Sequence, residues 1–447
     1  MSKPNILSQV GIVSAGFALR QVIRLGTNVI LATIISPAVF GIMLILNTLR
    51  TGAEQITDVG LGQNIIYDRL GARKLFYNTA WTIQIVRGFL LFGIFLLLSP
   101  LFTDTFGEGQ LEDLLPIFAT IFVITGFVPP ARFLLQKQQR LVVLTVIELI
   151  VAVLGAVAII GFALYSPTPE AIVWALLLGN LFAVFGYLFG MNWRDLRIQL
   201  SRRTAVRILS FGKWVFVATL LYFAANSFDR LYLGAEIPLT LLGIYSIARS
   251  LSEAGYTLAL RISQFIVFPK VAEAHNRGES LHSIVGPRGR GLLLTALFLG
   301  VGIAISDEVI YLLYDERYEA AAFMLPFLLV GVWYSILSIV FESIVYGTGR
   351  PALNAWGNAA KLLWLVVALP LALAQEGFLW ALVVIAAADV PRYLILSAAH
   401  MKERLGFFRQ DLLATAALLG CAVLVRWALV GIGIADSFWP KMQSGLM

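Results

Sequence analysis

Cysteine, histidine and charge are all scarce in this chain of 447 residues. The one cysteine, Cys421, stands in an apolar run, which excludes a disulfide within the chain and a cysteine metal cluster. Only three histidines occur, and they stand in polar connections. Charged residues make up 13% of the chain and hydrophobic residues 59%, whereas soluble globular domains have about a quarter and about half. The sequence therefore indicates no metal, no cofactor and no catalytic centre, and its composition is not that of a soluble domain.

Long apolar runs are abundant in the chain, and the mean hydropathy is +0.85. Runs of about 20 residues, the length that crosses a bilayer as a helix, recur along the whole chain. The sequence predicts an all-α polytopic membrane protein with about thirteen transmembrane helices, twelve core spans plus one or two. The first run carries two arginines, unlike a cleavable signal peptide, and we expect it to be retained. The spans are placed at 11–35, 40–60, 77–102, 114–135, 141–165, 170–190, 213–234, 241–268, 290–313, 321–346, 352–374, 377–399 and 410–435.

The charges between the spans set the orientation. With the N-terminus in the cytoplasm, 21 of the 33 lysines and arginines fall in inner segments, ten within spans, and only Arg317 and Lys441 outside. The net charge of +7 then faces the anionic lipids of the cytoplasmic leaflet and requires no nucleic-acid partner. The densest basic segment, 192–213, is interpreted either as an amphipathic connector lying on that leaflet or as a plain topology signal, and the two interpretations are compatible.

The chain also repeats itself. Arg50-x-x-x-Glu54 recurs as Arg249-x-x-x-Glu253, and each pair follows a proline and a Gly-Ile dipeptide. The repeat predicts two six-helix bundles of the same orientation, at 1–190 and 213–400, joined by a basic connector at 191–212 and followed by an extra helix within 401–447. Transporters built from such repeats bind their substrate at the interface of the repeats, so we expect a central cavity.

Several charges fall inside the predicted spans, where each costs about 2.5–3.5 kcal/mol at the bilayer centre. Such groups face each other or a wet cavity. Because residues four apart share a helix face, one stripe on the second span holds an arginine and two acids. The cations interpreted as cavity residues are Arg20, Arg24, Arg50, Arg87, Arg249 and Arg261. The acids interpreted as ion-coupling or pairing groups are Glu54, Asp58, Asp229 and Glu253.

A second interpretation stays open for each of these residues. The Arg-Glu pairs on the second and eighth spans are also consistent with neutralised pairs that only fix helix packing. Arg87 and Arg261 lie in the inner halves of their spans, from which they can extend to the headgroups. If the charges do line a cavity, its excess of arginine favours an anionic substrate, because arginine binds phosphate through two parallel hydrogen bonds.

Six segments in order resemble the polysaccharide (O-antigen type) flippases of the multidrug/oligosaccharidyl-lipid/polysaccharide superfamily. They cover nearly the whole chain up to about residue 400, and their order and spacing carry more weight than any one of them. The segments are "TDVGLGQNIIYDR", "ARFLLQKQQRLVVLTVIEL", "LGIYSIARSLSE", "FPKVAEAHNRG", "LYDERYEAAAFMLPFLL" and "YGTGRPALNAWGN".

The resemblance implies two six-helix bundles that form a V around a cation-lined cavity. It implies movement of a polyprenyl-pyrophosphate-linked oligosaccharide from the inner to the outer leaflet of the bacterial inner membrane, for exopolysaccharide, capsule or O-antigen. It also implies that Arg20, Arg24, Arg50 and Arg249 lie near the path of the pyrophosphate or the sugar. The expected partners are this lipid-linked substrate, anionic membrane lipids, and polysaccharide polymerase and export machinery.

Three other functions compete with this one. A major-facilitator carrier also has two six-helix halves, and "DRLGARK" at 68–74 resembles its cytoplasmic loop, but Asn64 stands where a glycine is expected. An ion-coupled antiporter of drugs or small organic anions is the main alternative, although a drug antiporter favours acids and aromatics in its cavity. A membrane glycosyltransferase or ligase needs a larger outer loop with catalytic groups than the connections provide.

Overall fold

The computed structural model describes residues 6–58, 60–106, 109–262, 271, 277, 282–347, 352–401 and 407–435. Over these ranges the chain is helical and contains no strand. The first half has eight helices, which precede a short 3₁₀ turn at Trp193–Asp195. They are α1 (Ile6–Ile34), α2 (Pro37–Ile56), α3 (Leu61–Tyr67), α4 (Lys74–Phe106), α5 (Gly109–Gly126), α6 (Ala131–Lys137), α7 (Leu141–Tyr165) and α8 (Pro169–Phe189).

The described part of the second half has nine helices and a 3₁₀ turn at Glu316–Tyr318. They are α9 (Arg202–Glu236), α10 (Leu239–Ile262), α11 (His282–Ala304), α12 (Ser306–Leu313), α13 (Ala320–Gly347), α14 (Ala352–Glu376), α15 (Phe378–Ala386), α16 (Asp389–Met401) and α17 (Phe407–Gly431). Helix α9 begins within the predicted connector at 191–212, so the connector is helical only in its second part.

By length and composition, eight of the described spans can cross a membrane, or ten if each of two bent helix pairs is one span. These ten match ten of the thirteen predicted spans. The other three predicted spans correspond to α2, α9 and α10. These helices carry the Arg-Glu pairs and Asp229, so the polar character that prompted the cavity prediction is also what sets them apart from the apolar spans.

The two bent pairs interrupt predicted spans. The break between α5 and α6 bends the chain by 40° at Pro129 and Pro130, since proline cannot continue the hydrogen-bond ladder of a helix. The side-chain amide of Gln84 on α4 donates to the carbonyl oxygens of Thr125 and Val128 at this break, at 2.9 and 3.3 Å. The second break, at Ile305, bends α11 against α12 by 57°.

Glycines allow α4 and α5 to cross closely. A Cβ atom on Gly88 would lie 2.5 Å from the carbonyl oxygen of Phe122, and one on Gly126 would lie 3.3 Å from that of Gln84. Small residues at such a crossing let two backbones approach in a membrane, where van der Waals packing drives association. The crossing fixes the turn of α4 that carries Arg87.

The last described helix, α17, packs along α11 as part of the same bundle. A Cβ atom on Gly300 of α11 would lie 2.8 Å from the carbonyl oxygen of Leu418, so the two helices touch backbone to backbone. Both ends of the contact are held by buried ion pairs: Arg288 with Asp411 at 2.6 Å, and Arg426 with Asp307 at 2.6 Å.

Arg288 corrects the predicted ninth span. The span was placed at 290–313 and Arg288 among the loop charges, but α11 begins at His282 and Arg288 is only 6% exposed. Its guanidinium lies over the rings of Phe407 and Phe341, 4.5 and 5.1 Å from their centroids. The aromatic faces and the Asp411 carboxylate together replace the water that the cation loses on burial.

The chain divides into two compact units. The first comprises the described residues up to Leu220 with Leu233–Leu242, and the second comprises Leu221–Tyr232 with the described residues from Gly243 onward. In the first unit α4 packs on α5, α5 on α8 and α7 on α8; in the second, α11 packs on α13, α13 on α15 and α16, and α14 on α15 and α16. Each of these three contacts of the first unit thus has a counterpart between the corresponding spans of the second. The predicted all-α fold built from two similar six-helix units is confirmed.

Candidate functional site

A cavity of about 430 Å³ lies within the first unit, among α2, α3, α4, α5, α6 and α8. Its volume falls within the roughly 300–1,000 Å³ typical of small-molecule pockets. Three arginines and two carboxylates line it, so its formal charge is positive. The polar lining residues are Arg50, Glu54, Gln55, Asp58, Gln63, Gln84, Arg87, Thr125, Arg132 and Tyr187.

The Arg-Glu pair of α2 forms one wall of this cavity. Arg50 Nε donates to Glu54 Oε1 at 2.9 Å, and Arg50 Nη2 donates to Asn180 Oδ1 on α8 at 3.3 Å. Both charged side chains keep part of their surface exposed, 22% for Arg50 and 32% for Glu54. The pair is therefore accessible from the cavity, and an anion that enters it can compete with Glu54 for the guanidinium.

Asp58 lies in this cavity but not on the helix to which it was assigned. Helix α2 ends at Ile56, and Asp58 Oδ1 accepts from the backbone N–H of Gly60, which has a left-handed φ of 66°. The turn directs the chain into α3. Arg87 of α4 reaches both predicted acids of this region: its Nη1 lies 3.8 Å from Asp58 Oδ1, and its Nη2 donates to the backbone carbonyl of Glu54 at 3.3 Å.

Arg132 is a cavity residue that the sequence analysis counted only among the inner charges, at the end of the fourth predicted span. It lies in the first turn of α6, just after the two prolines, and its Nε lies 3.5 Å from Glu148 Oε1 on α7. Glu148 also accepts from Arg20 of α1 through its other oxygen. One carboxylate, with an 11% exposed side chain, thus faces two arginines from two helices. The "PPAR" sequence signals the break that turns Arg132 back toward the cavity.

The remaining predicted cations are placed differently. Arg20, held by Glu148, does not line the 430 Å³ cavity. Arg24, one turn further along α1, is exposed and has no hydrogen bond or ion pair to any residue that the structure describes. Arg261 lies in the last turn of α10, and its side chain is outside the described residues.

In the second unit the predicted residues form a connected network of ion pairs. Arg249 Nε donates to Glu253 Oε1 at 2.9 Å, and its Nη1 lies 3.5 Å from Asp229 Oδ2. Arg230 donates to the same oxygen of Glu253, and the Tyr245 hydroxyl donates to Asp229 at 2.6 Å. Asp229 is only 2% exposed.

A second buried group of charges surrounds Asp389. Lys361 Nζ of α14 donates to Asp389 Oδ2 at 2.8 Å and to Asn226 Oδ1 of α9 at 2.9 Å. Ser335 Oγ donates to the same carboxylate oxygen at 2.5 Å, and Arg392 Nη1 lies 3.7 Å from the other. The ammonium of Lys361 therefore joins α14 to α9 and α16.

Arg392 extends this group to α13. Its Nη2 donates to Glu342 Oε2 at 2.9 Å and to Asn354 Oδ1 at 3.1 Å, and it is 1% exposed. The second unit thus places four cations against four carboxylates, a neutral set. The set comprises Arg230, Arg249, Lys361 and Arg392 with Asp229, Glu253, Glu342 and Asp389.

The structure therefore brings Arg50, Glu54, Asp58 and Arg87 together in one unit, and Asp229, Arg249 and Glu253 in the other. Among the residues that the structure describes, no group of three or more histidine, cysteine or acidic side chains is arranged to hold a metal ion. What the site offers chemically is a set of half-buried guanidinium groups with amide and hydroxyl neighbours, a suitable environment for an anion.

Comparison with known proteins shows which family this chain belongs to. A family described as "Polysaccharide biosynthesis protein" matches residues 30–323, more than half of the chain. The chain belongs to this family. The chain resembles curated relatives across most of its length, and the resemblance of the sequence motifs to polysaccharide proteins is confirmed at the level of this family.

Three relatives illustrate the similarity. The teichuronic acid biosynthesis protein TuaB of Bacillus subtilis is 24% identical over 370 residues, which cover 81% of this chain and 76% of TuaB. The amylovoran biosynthesis protein AmsL of Erwinia amylovora is 23% identical, covering 58% of this chain and 68% of AmsL. The lipopolysaccharide biosynthesis protein WzxC of Escherichia coli is 22% identical, covering 70% of this chain and 65% of WzxC.

Two solved structures share the fold. The lipid II flippase MurJ, in an inward closed conformation, has a TM-score of 0.69 at 11% identity. The match covers 95% of this chain and 99% of MurJ. An inward-facing multidrug resistance MATE family transporter of the MOP superfamily has a TM-score of 0.66 at 14% identity, covering 88% of this chain and 95% of its own. At these identities the likeness concerns the fold of this multi-pass membrane protein.

Proposed function

We propose that this polysaccharide biosynthesis protein is a flippase for a polyprenyl-pyrophosphate-linked oligosaccharide. It moves the headgroup from the inner to the outer leaflet of the bacterial inner membrane by alternating access, with its N-terminus in the cytoplasm. TuaB, AmsL and WzxC are named for the biosynthesis of teichuronic acid, amylovoran and lipopolysaccharide, and these names support this class of substrate. The lipid II flippase MurJ, whose fold this chain shares, acts on a lipid by its name.

The observation that carries the proposal is the arginine-lined cavity of the first unit. A pyrophosphate cannot enter hydrocarbon as a bare anion, because the loss of its hydration is prohibitive. Arg50, Arg87 and Arg132 line a space that is large enough for a small polar ligand and lies in a bundle of apolar helices. Such a space lets a charged headgroup leave the leaflet surface while its polyprenyl tail stays in lipid.

The chemistry of binding is an exchange of partners. The described arginines of the cavity are paired with Glu54, Asp58 and Glu148, and the two pairs that reach Asp58 and Glu148 are 3.8 and 3.5 Å long. A phosphate offers each guanidinium two oxygens in a planar geometry, which a long single contact does not match. Once the headgroup leaves, the carboxylates take the arginines back, and this return favours release.

The acids divide into two roles under this proposal. Glu54 and Asp58 remain about one third exposed in the cavity, where they can exchange a proton or a sodium ion with water. Asp229 and Glu253 are held by Arg230, Arg249 and Tyr245, so we assign them to pairing within the second unit. The polysaccharide polymerase and export machinery are the expected recipients of the translocated substrate.

The test is translocation in proteoliposomes. An undecaprenyl-pyrophosphate oligosaccharide is loaded in one leaflet, and its exposure to an impermeant lectin is followed together with analysis of the recovered molecule. We expect protein-dependent exposure of unmodified substrate. A chemically altered product would identify an enzyme instead, and failure with several oligosaccharides and a folded protein would overturn the flippase and favour the antiporter of small organic anions.

A further inference from the structure

The segment between α8 and α9 is fastened to α4 along its backbone. Asn78 Nδ2 donates to the Asp195 carbonyl at 3.0 Å, and Asn78 Oδ1 accepts from the backbone N–H of Arg197 at 3.3 Å. Thr82 Oγ1 accepts from the N–H of Gln199 at 3.0 Å, one helical turn further along α4. We call residues 193–203, which include the first two residues of α9, the strap.

Further contacts fix both ends of the strap. Thr79 Oγ1 accepts from the N–H of Ser201 at 3.2 Å, and Lys74 forms an ion pair with Asp195 at 2.6 Å. Just after the strap, Arg207 pairs with Asp68 at 2.7 Å and Ile208 is fully buried in the apolar cluster around α3 and α4. Because three buried polar side chains of α4 satisfy its backbone, the strap has a defined inner face.

The outer face of the strap combines apolar and cationic side chains. Trp193, Ile198 and Leu200 are 64%, 72% and 65% exposed. Its exposed arginines are Arg194, Arg197, Arg202 and Arg203. The only acid of the strap, Asp195, is already paired with Lys74, so the outer face has a strong positive excess.

The position of the strap in the chain identifies what this face meets. Helix α8 is an apolar span that ends at Phe189, four residues before Trp193. Four extended residues reach about 14 Å at most, so the strap begins at the boundary of the hydrocarbon. Tryptophan favours this boundary, and anionic headgroups attract basic side chains placed there.

We propose that the strap is a binding site for anionic phospholipids, with its arginines on the lipid phosphates and Trp193, Ile198 and Leu200 in the upper acyl region. This goes beyond the movement of substrate, since it assigns a resident lipid contact to a surface outside the cavity. The site is attached to α4, the helix that also carries Arg87. Bound lipid therefore holds that helix at a fixed depth in the membrane.

The experiment measures lipid contact directly and does not depend on transport. Ile198→Cys in a Cys421→Ser background is labelled with bimane and reconstituted in phosphatidylcholine vesicles. Quenching by doxyl-labelled phosphatidylglycerol is compared with quenching by doxyl-labelled phosphatidylcholine at the same mole fraction. We expect the anionic quencher to be more effective by about two-fold or more at low salt, and the preference to shrink as salt is added.

A matched pair of triple variants localises the effect. R194Q/R197Q/R203Q is expected to abolish the preference for the anionic quencher. R69Q/R73Q/R140Q removes the same charge from exposed loops of the first unit and is expected to retain it. Equal quenching by both lipids in the unmodified strap would overturn the site, as would an equal loss in both triple variants, because diffuse surface charge would then account for the attraction. Failure of translocation leaves this readout unaffected.

Discussion

The two units contain the same ion pair and use it in opposite ways. Arg50 Nε meets Glu54 Oε1, and Arg249 Nε meets Glu253 Oε1, each at 2.9 Å. In the first unit the rest of the guanidinium faces an amide and a cavity. In the second it faces the carboxylate of Asp229, which is only 2% exposed, and Glu253 accepts from a second arginine, Arg230.

The difference begins in the helix that precedes the pair. Helix α1 has two arginines and no acid, whereas the corresponding α9 carries Asp229 and Arg230 side by side. Asp229 lies beside Arg249, and Arg230 donates to Glu253, so each member of the α10 pair has a second partner of opposite charge. Without them the Arg50 guanidinium has an amide, Asn180, as its second partner instead of a carboxylate, and its charge is less fully neutralised. The repeated pair thus occurs once with an arginine that can still bind a ligand and once with an arginine held between two carboxylates.

Loss of Lys361 is expected to have the largest effect on the free energy of unfolding. Lys361→Met leaves the buried Asp389 carboxylate with the Ser335 hydroxyl and with one cation, Arg392, at 3.7 Å. Removing one partner of a buried ion pair costs about 3–5 kcal/mol, because the other charge stays desolvated. Steric trapping in bicelles measures this loss.

The control for Lys361 neutralises both partners. K361M/D389N removes the orphaned charge together with its partner, and we expect it to recover a large part of the lost stability. If Lys361→Met has the same free energy of unfolding as the unmodified protein, the buried charges around Asp389 do not stabilise the second unit. The contrast between the units is then wrong.

After Lys361, loss of the ion pair between Arg20 and Glu148 is expected to have the next largest effect on the free energy of unfolding. Glu148 faces Arg20 and Arg132, so a double-mutant cycle with Arg20→Gln and Glu148→Gln should give a coupling energy of about 0.5–3 kcal/mol. The same cycle with Arg132 should give less, since that side chain is 51% exposed and its contact is longer. Equal couplings would mean that Glu148 serves the cavity as much as the bundle.

Much of this arrangement follows from the sequence. The apolar runs identify the spans, and spacings of four residues place Arg50 with Glu54 and Arg249 with Glu253 on shared faces. Duplication of the unit is visible in the same residues. These features are local along the chain, so a helical period is enough to predict them.

The partners from distant helices are what the sequence does not reveal. Nothing along the chain connects Glu148 with Arg20, Lys361 with Asn226, or Arg288 with Asp411, because each pairing depends on how helices pack. Arg132 and Arg288 look like topology charges at the ends of spans. Only the break after Pro130 and the early start of α11 bring them inside.

Substitution of Arg50, with Arg249 as the control, tests the contrast between the two units most directly. The expected loss in the free energy of unfolding for Arg50 is smaller than for the preceding changes. Arg50→Gln should change the free energy of unfolding by about 0.5 kcal/mol or less, because the pair is partly exposed and formed within one helix. Translocation in proteoliposomes should fall about 10- to 100-fold, since a charge-assisted hydrogen bond is worth about 1.5–3 kcal/mol. Arg249→Gln is the matched control and should lose stability first, because Asp229 is then left buried. The reverse pattern would exchange the roles of the two units.

Arg24→Ala should have the smallest effect on stability. The side chain is exposed and has no partner among the residues that the structure describes, so the free energy of unfolding should stay within about 0.5 kcal/mol of the unmodified value. Translocation should nevertheless be lost, because an exposed arginine on an apolar helix that carries no acid is available to the pyrophosphate. Arg20→Ala, one turn away, is the control and should destabilise the protein, because Glu148 is then left with the longer contact to Arg132. Normal translocation by a folded Arg24→Ala protein would remove α1 from the substrate path and confine the anion site to the cavity of Arg50, Arg87 and Arg132.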